Sequence, residues 1–477
     1  MNPYRYFALL VLMPFAALRA QQKPNAILQQ TKIVMGLTGL KKPVLHYYYN
    51  QVSLGREESD RTYPPFFTVA VNAEAWFATE INTTRIKQSN TGVGRGPAEY
   101  PSVFYLGVSK HYAARDTAFR SLSDNYFQTI EYDKLNAWAV VLDWAGDPAV
   151  RQGKNEVYRD YERLVLERPG ANGKERLFID PKTNFPVKLD YQELSSLWGQ
   201  QHIEVVYSNW QQTDDFFLPA SSFRLEDGEP MIYRTMGKSD LSDSLSLFSR
   251  LRQLPVNVQG DGNKELFISE QPKLIKFSDQ TYLTKNRFYT EVFTKIGDTV
   301  YLLDATLNEA RARQDEKLIR QVFPGADHFV VVVTDLAWPH VGGLRYWVSK
   351  GATIVSHSAS RQFLDRVVHR RWTIRPDELQ KHPRQMKFVP INKMTRLAKG
   401  ALQVFPIDGI GSEGALACNL PKDKLLWASD YIQDTQAPTA YASEVIHAVN
   451  REKLKPAKVV AQHIELVEWQ QVVKVNP

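Results

Sequence analysis

Two patterns of apolar and polar positions divide the chain. From about residue 25 to 255, apolar and polar positions alternate in short runs, the period of two that a half-buried strand requires. Residues 66–72 alternate in this way, and 157–167 and 174–180 predict neighbouring strands turned at Pro169-Gly-Ala-Asn-Gly173. A second turn, 180–186, leads into predicted strands at 187–191, 203–207 and 216–225. From about 265 to 477 the pattern changes. Short apolar runs at 299–304, 329–334, 351–356, 401–405 and 425–427 predict buried strands. Residues 309–323 have helical spacing with apolar Leu318 and Val322 and close at Pro324-Gly325. Another helical stretch opens at Leu344. The expected fold class is α+β: a β-rich N-terminal domain over 25–255, then a layered αββα domain over 265–477. The two meet at 255–264, where Gly, Asn and Asp cluster.

Composition narrows the picture. At 43% hydrophobic and 23% charged the chain is an ordinary globular one, and 12% aromatic content leans toward strands. The net charge of +7 is mild for 477 residues and argues against nucleic-acid binding. Arg361, Arg366, Arg370, Arg371, Arg375 and Lys387 form the densest basic stretch, but Asp365, Asp377 and Glu378 interrupt it, which predicts a solvated helix face. Arg5, the apolar run 7–18 and the small Ala20 predict a signal peptide over 1–20, with a retained N-terminal anchor as the alternative, and no cysteine stands at its end to carry a lipid. No later run is apolar enough to span a bilayer. The protein is therefore expected to be periplasmic or secreted. Cys418 is the one cysteine, so no intramolecular disulfide forms, and its apolar neighbours predict a buried side chain.

Candidate chemistry concentrates at 331–343, Val-Val-Val-Thr-Asp-Leu-Ala-Trp-Pro-His-Val-Gly-Gly. A β-branched run ends at Thr334. A short turn then carries Asp335, Ala337, Pro339 and His340, and Gly342-Gly343 precede the helix. This segment resembles the signature of the metallo-β-lactamase fold, Thr-His-x-His-x-Asp-His-x-Gly-Gly. Leu-Leu-Asp-Ala at 302–305 is similar to that family's early strand-ending Asp. Leu-Pro-Lys-Asp-Lys-Leu-Leu-Trp-Ala-Ser-Asp at 420–430 is similar to its Leu-Pro-x-x-Lys-(apolar)-x-x-Asp. The N-terminal strands bear a looser likeness to the meander of lipoprotein-carrier-like half-barrels, over about half of that domain. Such a curled sheet leaves room for a small-molecule or lipid-like ligand.

The resemblance implies one or two zinc or related ions activating a water. It places the three His of the first metal on Asp335, Ala337 and Gly411. Ala and Gly offer no ligand atom, so this site is expected to be lost. The second metal's ligands fall on Pro339, His340, Asp430 and His463. Asp335, His340, Asp430 and His463 are therefore the residual set that could hold one zinc or other divalent ion. The opposing reading makes His340 and His463 relict polar residues bonded to Asp430, and no cofactor is then expected. The functional expectation is an exported, hydrolase-like protein with a degenerate metal site and no catalytic residue, acting by binding or scaffolding. The alternative is a mononuclear metal-dependent hydrolase. His357 is expected to be a strand-terminal residue or one that supports a ligand. His369 and His382 have no evident partner in the sequence. Gly92-Val-Gly-Arg-Gly96 is expected to be a plain loop.

Overall fold

The computed structural model describes residues 23–55, 61–63, 67–92, 96–107, 111–115, 118–121, 134–253, 271–286, 289–409 and 413–476. It is β-rich, with three sheets and short helices. The first sheet begins with β1 (Val44–Gly55), β2 (Phe67–Ala78), β3 (Thr83–Gly92), β4 (Gly96–Gly107), β5 (His111–Arg115) and β6 (Ala118–Ser121). It continues with β7 (Arg151–Gln152), β8 (Glu156–Tyr158), β9 (Tyr161–Gly170), β10 (Gly173–Ile179), β11 (Pro186–Ser195), β12 (Gly199–Thr213), β13 (Phe216–Glu226) and β14 (Glu229–Ser242). Two antiparallel meanders, β1 to β6 and β9 to β14, join where β1 pairs with β14.

Two helices run within the stretch whose pattern predicts mostly short strands. α1 (Pro24–Val34) starts with Pro24 in its first turn, where a missing N–H costs nothing. α2 (Ala137–Ala145) reads Ala-Trp-Ala-Val-Val-Leu-Asp-Trp-Ala and is apolar nearly all round, so it carries no amphipathic signature. Both pack on the inner face of the sheet. Ile27, Leu28, Trp138 and Trp144 share one core with Tyr47, Tyr49, Phe77, Leu177 and Val205. Alternation along β1 is clean: Tyr47, Tyr49 and Gln51 point inward, and Tyr48, Asn50 and Val52 outward. The Gly92–Gly96 segment joins β3 to β4; its three middle residues lie outside the described residues.

Beyond residue 271 a seven-stranded sheet contains β15 (Lys273–Lys276), β16 (Thr281–Lys285), β17 (Thr290–Ile296), β18 (Thr299–Leu303), β19 (His328–Val332), β20 (Thr353–His357) and β21 (Lys387–Ile391). β18 to β21 are parallel, and their connections hold α3 (Glu309–Val322), α4 (Trp338–Val341), α5 (Leu344–Ser349), α6 (Arg361–Val368) and α7 (Glu378–Lys381). A six-stranded sheet contains β22 (Thr395–Leu397), β23 (Leu402–Pro406), β24 (Leu416–Leu420), β25 (Leu425–Trp427), β26 (Lys458–Val460) and β27 (Val467–Glu468). α8 (Ala440–Arg451) and α9 (Trp469–Val475) complete it. One core joins Val292, Leu303, Val332 and Val355 of the seven-stranded sheet to Val404, Leu416, Cys418 and Trp427 of the other. A second core joins Leu302, Val331 and Ile354 to Ile319, Trp347 and Phe363 of the helices. A third joins Phe405, Ala417 and Leu426 to Val445, Val449 and Val472.

The first body reaches into the second. Leu197 and Trp198, on the turn between β11 and β12, belong to the helix-side core of the seven-stranded sheet. Trp198 meets Phe363 edge-on at 5.3 Å between centroids. Arg370 donates to the Trp198 and Gln200 carbonyls at 2.6 and 2.9 Å and pairs with Asp227. The Gln200 amide donates to the Arg371 carbonyl at 2.8 Å. No helix among the described residues is long and apolar enough to cross a membrane.

Candidate functional site

The site forms where β18, β19, β25 and β26 end side by side. Asp304 leaves β18 with φ +86°, a conformation that costs a non-glycine residue and persists only when its surroundings enforce it. Here they do. One Asp304 oxygen accepts from the Thr334 amide at 2.7 Å and from the Thr334 hydroxyl at 2.8 Å. The other takes His340 Nδ1 at 2.7 Å. Asp304, Thr334 and His340 are fully buried. The Thr334 hydroxyl also meets Ser429 at 2.9 Å and receives the Trp427 indole N–H at 3.2 Å, which ties β19 to the end of β25.

The turn carrying the site is fastened from both sides. Ala305 and Leu307 amides donate to the His340 and Pro339 carbonyls, and the Gly343 amide donates to Ala305. At Gly342 an added Cβ would lie 1.8 Å from the Leu307 carbonyl oxygen, so only glycine allows this approach. Gln462 lies across the turn, its side-chain N–H donating to the Pro339 carbonyl at 2.9 Å while its own carbonyl accepts from Thr290.

Each expected site residue has a definite place. Asp335 accepts from the Ala337 amide at 2.7 Å and from the Tyr431 hydroxyl. Burial raises its carboxyl above the ordinary value, against the pull of His340. Burial opposes charge on His340 too, but Asp304, with Asp335 and Asp430, outweighs it and pushes the imidazole up to about 9. Burial and the neighbouring Asp335 raise the Tyr431 phenol. His463 Nε2 lies 3.1 Å from Asp430, whose other oxygen accepts from Gln433. His340 is thus paired with Asp304, whereas the sequence pairs it with Asp430; the strand-end carboxylate is nearer because β18 and β19 are hydrogen-bonded neighbours. Ala337 and Pro339 contribute only backbone. Gly411 lies outside the described residues.

His357 accepts from the Ala359 amide, His369 Nδ1 donates to the Asp365 carbonyl of its own helix turn, and His382 faces Glu378 at 3.5 Å. The partners of the last two sit four residues away, a helical spacing that the sequence pattern did not reveal. Asp304, Thr334, Ser429 and Gln462 are the site residues that a search for ligands in the sequence misses. Their one signal is position, since each ends a β-branched or apolar run.

The four residual ligand candidates do not fit a metal ion as they stand. Among the described residues, three ligand atoms approach within 4.8 Å of one another only at Asp190, His202 and Glu204, on the first sheet. There the Lys188 ammonium lies 2.8 Å from Glu204 and 3.3 Å from Asp190, and Arg176 chelates Asp190. Two cations already occupy that carboxylate group.

No family model matches this chain, and no curated protein matches it. Among solved structures it is similar to DIM-1 metallo-beta-lactamase, at 11% identity and TM-score 0.35, over 43% of this chain and 95% of that one. It is similar also to a metallo-beta-lactamase from Pontibacter korlensis, at 15% identity and TM-score 0.34, over 43% of this chain and 96% of that one.

Proposed function

We propose that residues 265–477 have the metallo-β-lactamase fold with a degenerate centre, and that the exported protein works by binding instead of hydrolysis. The fold reading is supported by the three ordered sequence segments and by two sheets that share a core and carry helices on their outer faces, an αββα arrangement. The first sheet, with α1 and α2 packed in its core, is read as half-barrel-like. Export is supported by the apolar run at 7–18 behind Arg5.

One observation carries the binding reading: among the described residues each candidate ligand already has a bond within the protein, His340 through Nδ1 alone, and no three of them bring ligand atoms within 4.8 Å of one another. His340 is held by Asp304, Asp335 by Ala337 and Tyr431, and Asp430 by His463 and Gln433. The inner face of the first sheet is filled by its own helices, so the ligand is assigned to the strand ends of the second body. The test is metal content and turnover of the full chain purified without chelator. The expected result is zinc well below one equivalent and no zinc-dependent hydrolysis of a cephalosporin or an aryl ester. One equivalent of zinc with turnover lost in His340→Ala would overturn it in favour of a mononuclear hydrolase.

A further inference from the structure

Two carboxyls and one cation meet in the interior of the second body. Glu291, Arg311 and Asp315 are each 1% exposed. Glu291 lies on β17, paired with Glu291's cross-strand neighbour Thr284 of β16, and Arg311 and Asp315 lie four residues apart on α3. Arg311 Nε donates to both Asp315 oxygens at 3.0 and 2.8 Å. Its Nη2 donates to the Thr284 carbonyl and hydroxyl at 3.2 and 2.9 Å. Asp315 is thus the counter-ion of the guanidinium. Glu291 faces Asp315, Arg311 and the Thr306 hydroxyl. Neither of its oxygens has a hydrogen-bond partner of good geometry within the protein, and neither do Arg311 Nη1 and Thr306 Oγ1. Asp304, at the end of β18, is turned away to Thr334 and His340. Among the described residues, Arg311 and Asp315 are therefore the charged groups that face Glu291.

Counting charge assigns the protonation state. One guanidinium offsets one carboxylate. A second ionised carboxyl would leave net negative charge out of water, and two carboxyls this close do not both ionise readily. The proton falls to Glu291, because Asp315 already holds the guanidinium through two bonds. Burial and then Asp315 raise the Glu291 carboxyl well above its ordinary range, and Arg311 opposes them without prevailing.

The pair sits against the loop that clasps the strand-end site. Thr306 belongs to that loop, whose Ala305 and Leu307 amides donate to the His340 and Pro339 carbonyls. Asn308 ties the loop to α3 by accepting from the Arg311 amide at 3.0 Å. An added Cβ at Gly343 would lie 3.1 Å from the Ala312 methyl, so α3 also backs the glycine pair.

We propose that Glu291 is a pH-sensitive latch. In its neutral form it lets α3 and the 304–307 loop close over β17. Its ionisation sets two carboxylates against one guanidinium, draws Glu291 toward the unused Arg311 Nη1 and loosens the loop. A carboxyl raised above its ordinary 4.5 contributes stability that is fully present below 4.5 and is lost as pH rises toward and through its folded value.

The test is urea unfolding of the full chain and of Glu291→Gln between about pH 5 and pH 9. Glutamine keeps the shape and cannot ionise. Whatever its level at pH 5, the ratio of the variant's folding constant to the wild type's is expected to rise with pH. The rise is up to about tenfold per unit while Glu291 is neutral only in the folded state. A flat or falling ratio overturns the proposal. Asp315→Asn tests the pair: Glu291 then becomes the counter-ion of Arg311, and adding Glu291→Gln to that background should give no rise. An undiminished rise there would show that burial alone holds the proton, and would overturn the pairing. Hydrogen exchange supplies a readout that does not depend on Asp315→Asn folding. Near pH 9 the amides of 305–308 should exchange at least about threefold faster in the wild type than in Glu291→Gln. Equal exchange there would overturn the latch.

Discussion

Asp190 shows how one residue sets a pH dependence. Burial alone would raise its carboxyl. His202, Arg176 and Lys188 outweigh burial and hold it at about 2. A carboxyl depressed below its ordinary 3.8 contributes stability that is present above 3.8 and lost as pH falls through about 2. That contribution is worth about 2 kcal/mol. Its partner His202, 3.7 Å away, is raised by Asp190 despite its own burial, so its share is present below 6.5 and lost at higher pH. His202→Gln is therefore expected to lower the urea midpoint most near pH 5 and hardly at all above pH 8. An equal loss at both pH values would show that the ring matters by packing and not by charge. The sequence hides this cluster because its members sit on three strands, and only the register of β10, β11 and β12 assembles it.

Among the elements, the turn between β19 and α5 was the most legible. Its motif residues stand out because a β-branched run stops abruptly and a glycine pair follows. The structure supplies the reason for the pair: the backbone of the 304–307 loop presses on it, with Leu307 itself at φ +66°. Gly342→Ala is expected to destabilise the protein by about 3 kcal/mol or more, since a carbonyl oxygen, not a flexible side chain, blocks the new methyl. Chemical denaturation monitored by tryptophan fluorescence measures it, and a loss below about 1 kcal/mol would mean the loop yields freely. α2 was illegible for the opposite reason. Helices announce themselves by a polar stripe, and one packed against both the sheet and α1 has none. Asp304 was visible as a strand end but not as the anchor of His340, because two parallel strands bring residues thirty-six positions apart into contact.

For the whole molecule, the sequence pattern shows two different apolar periods either side of 255–264, and the contact between the two parts leaves no mark in it. Leu197-Trp198 lies in a tight turn, where exposed residues are the ordinary expectation. Instead Trp198 is 2% exposed, held by Arg370 and stacked edge-on against Phe363. A protease site engineered at 258–262 and then cleaved is expected to leave both fragments associated through gel filtration, and Trp198→Ala, a loss of about 3–5 kcal/mol, should release them. Fragments that separate without that substitution would make the junction a simple tether. An indole lent by one half to the interior of the other also joins their evolutionary fates. A duplication, deletion or exchange that moved either half alone would inherit a hole or a protruding ring. Recombination should then pass the pair on together, and substitutions at Trp198, Phe363 and Arg370 should appear in lineages as compensating sets.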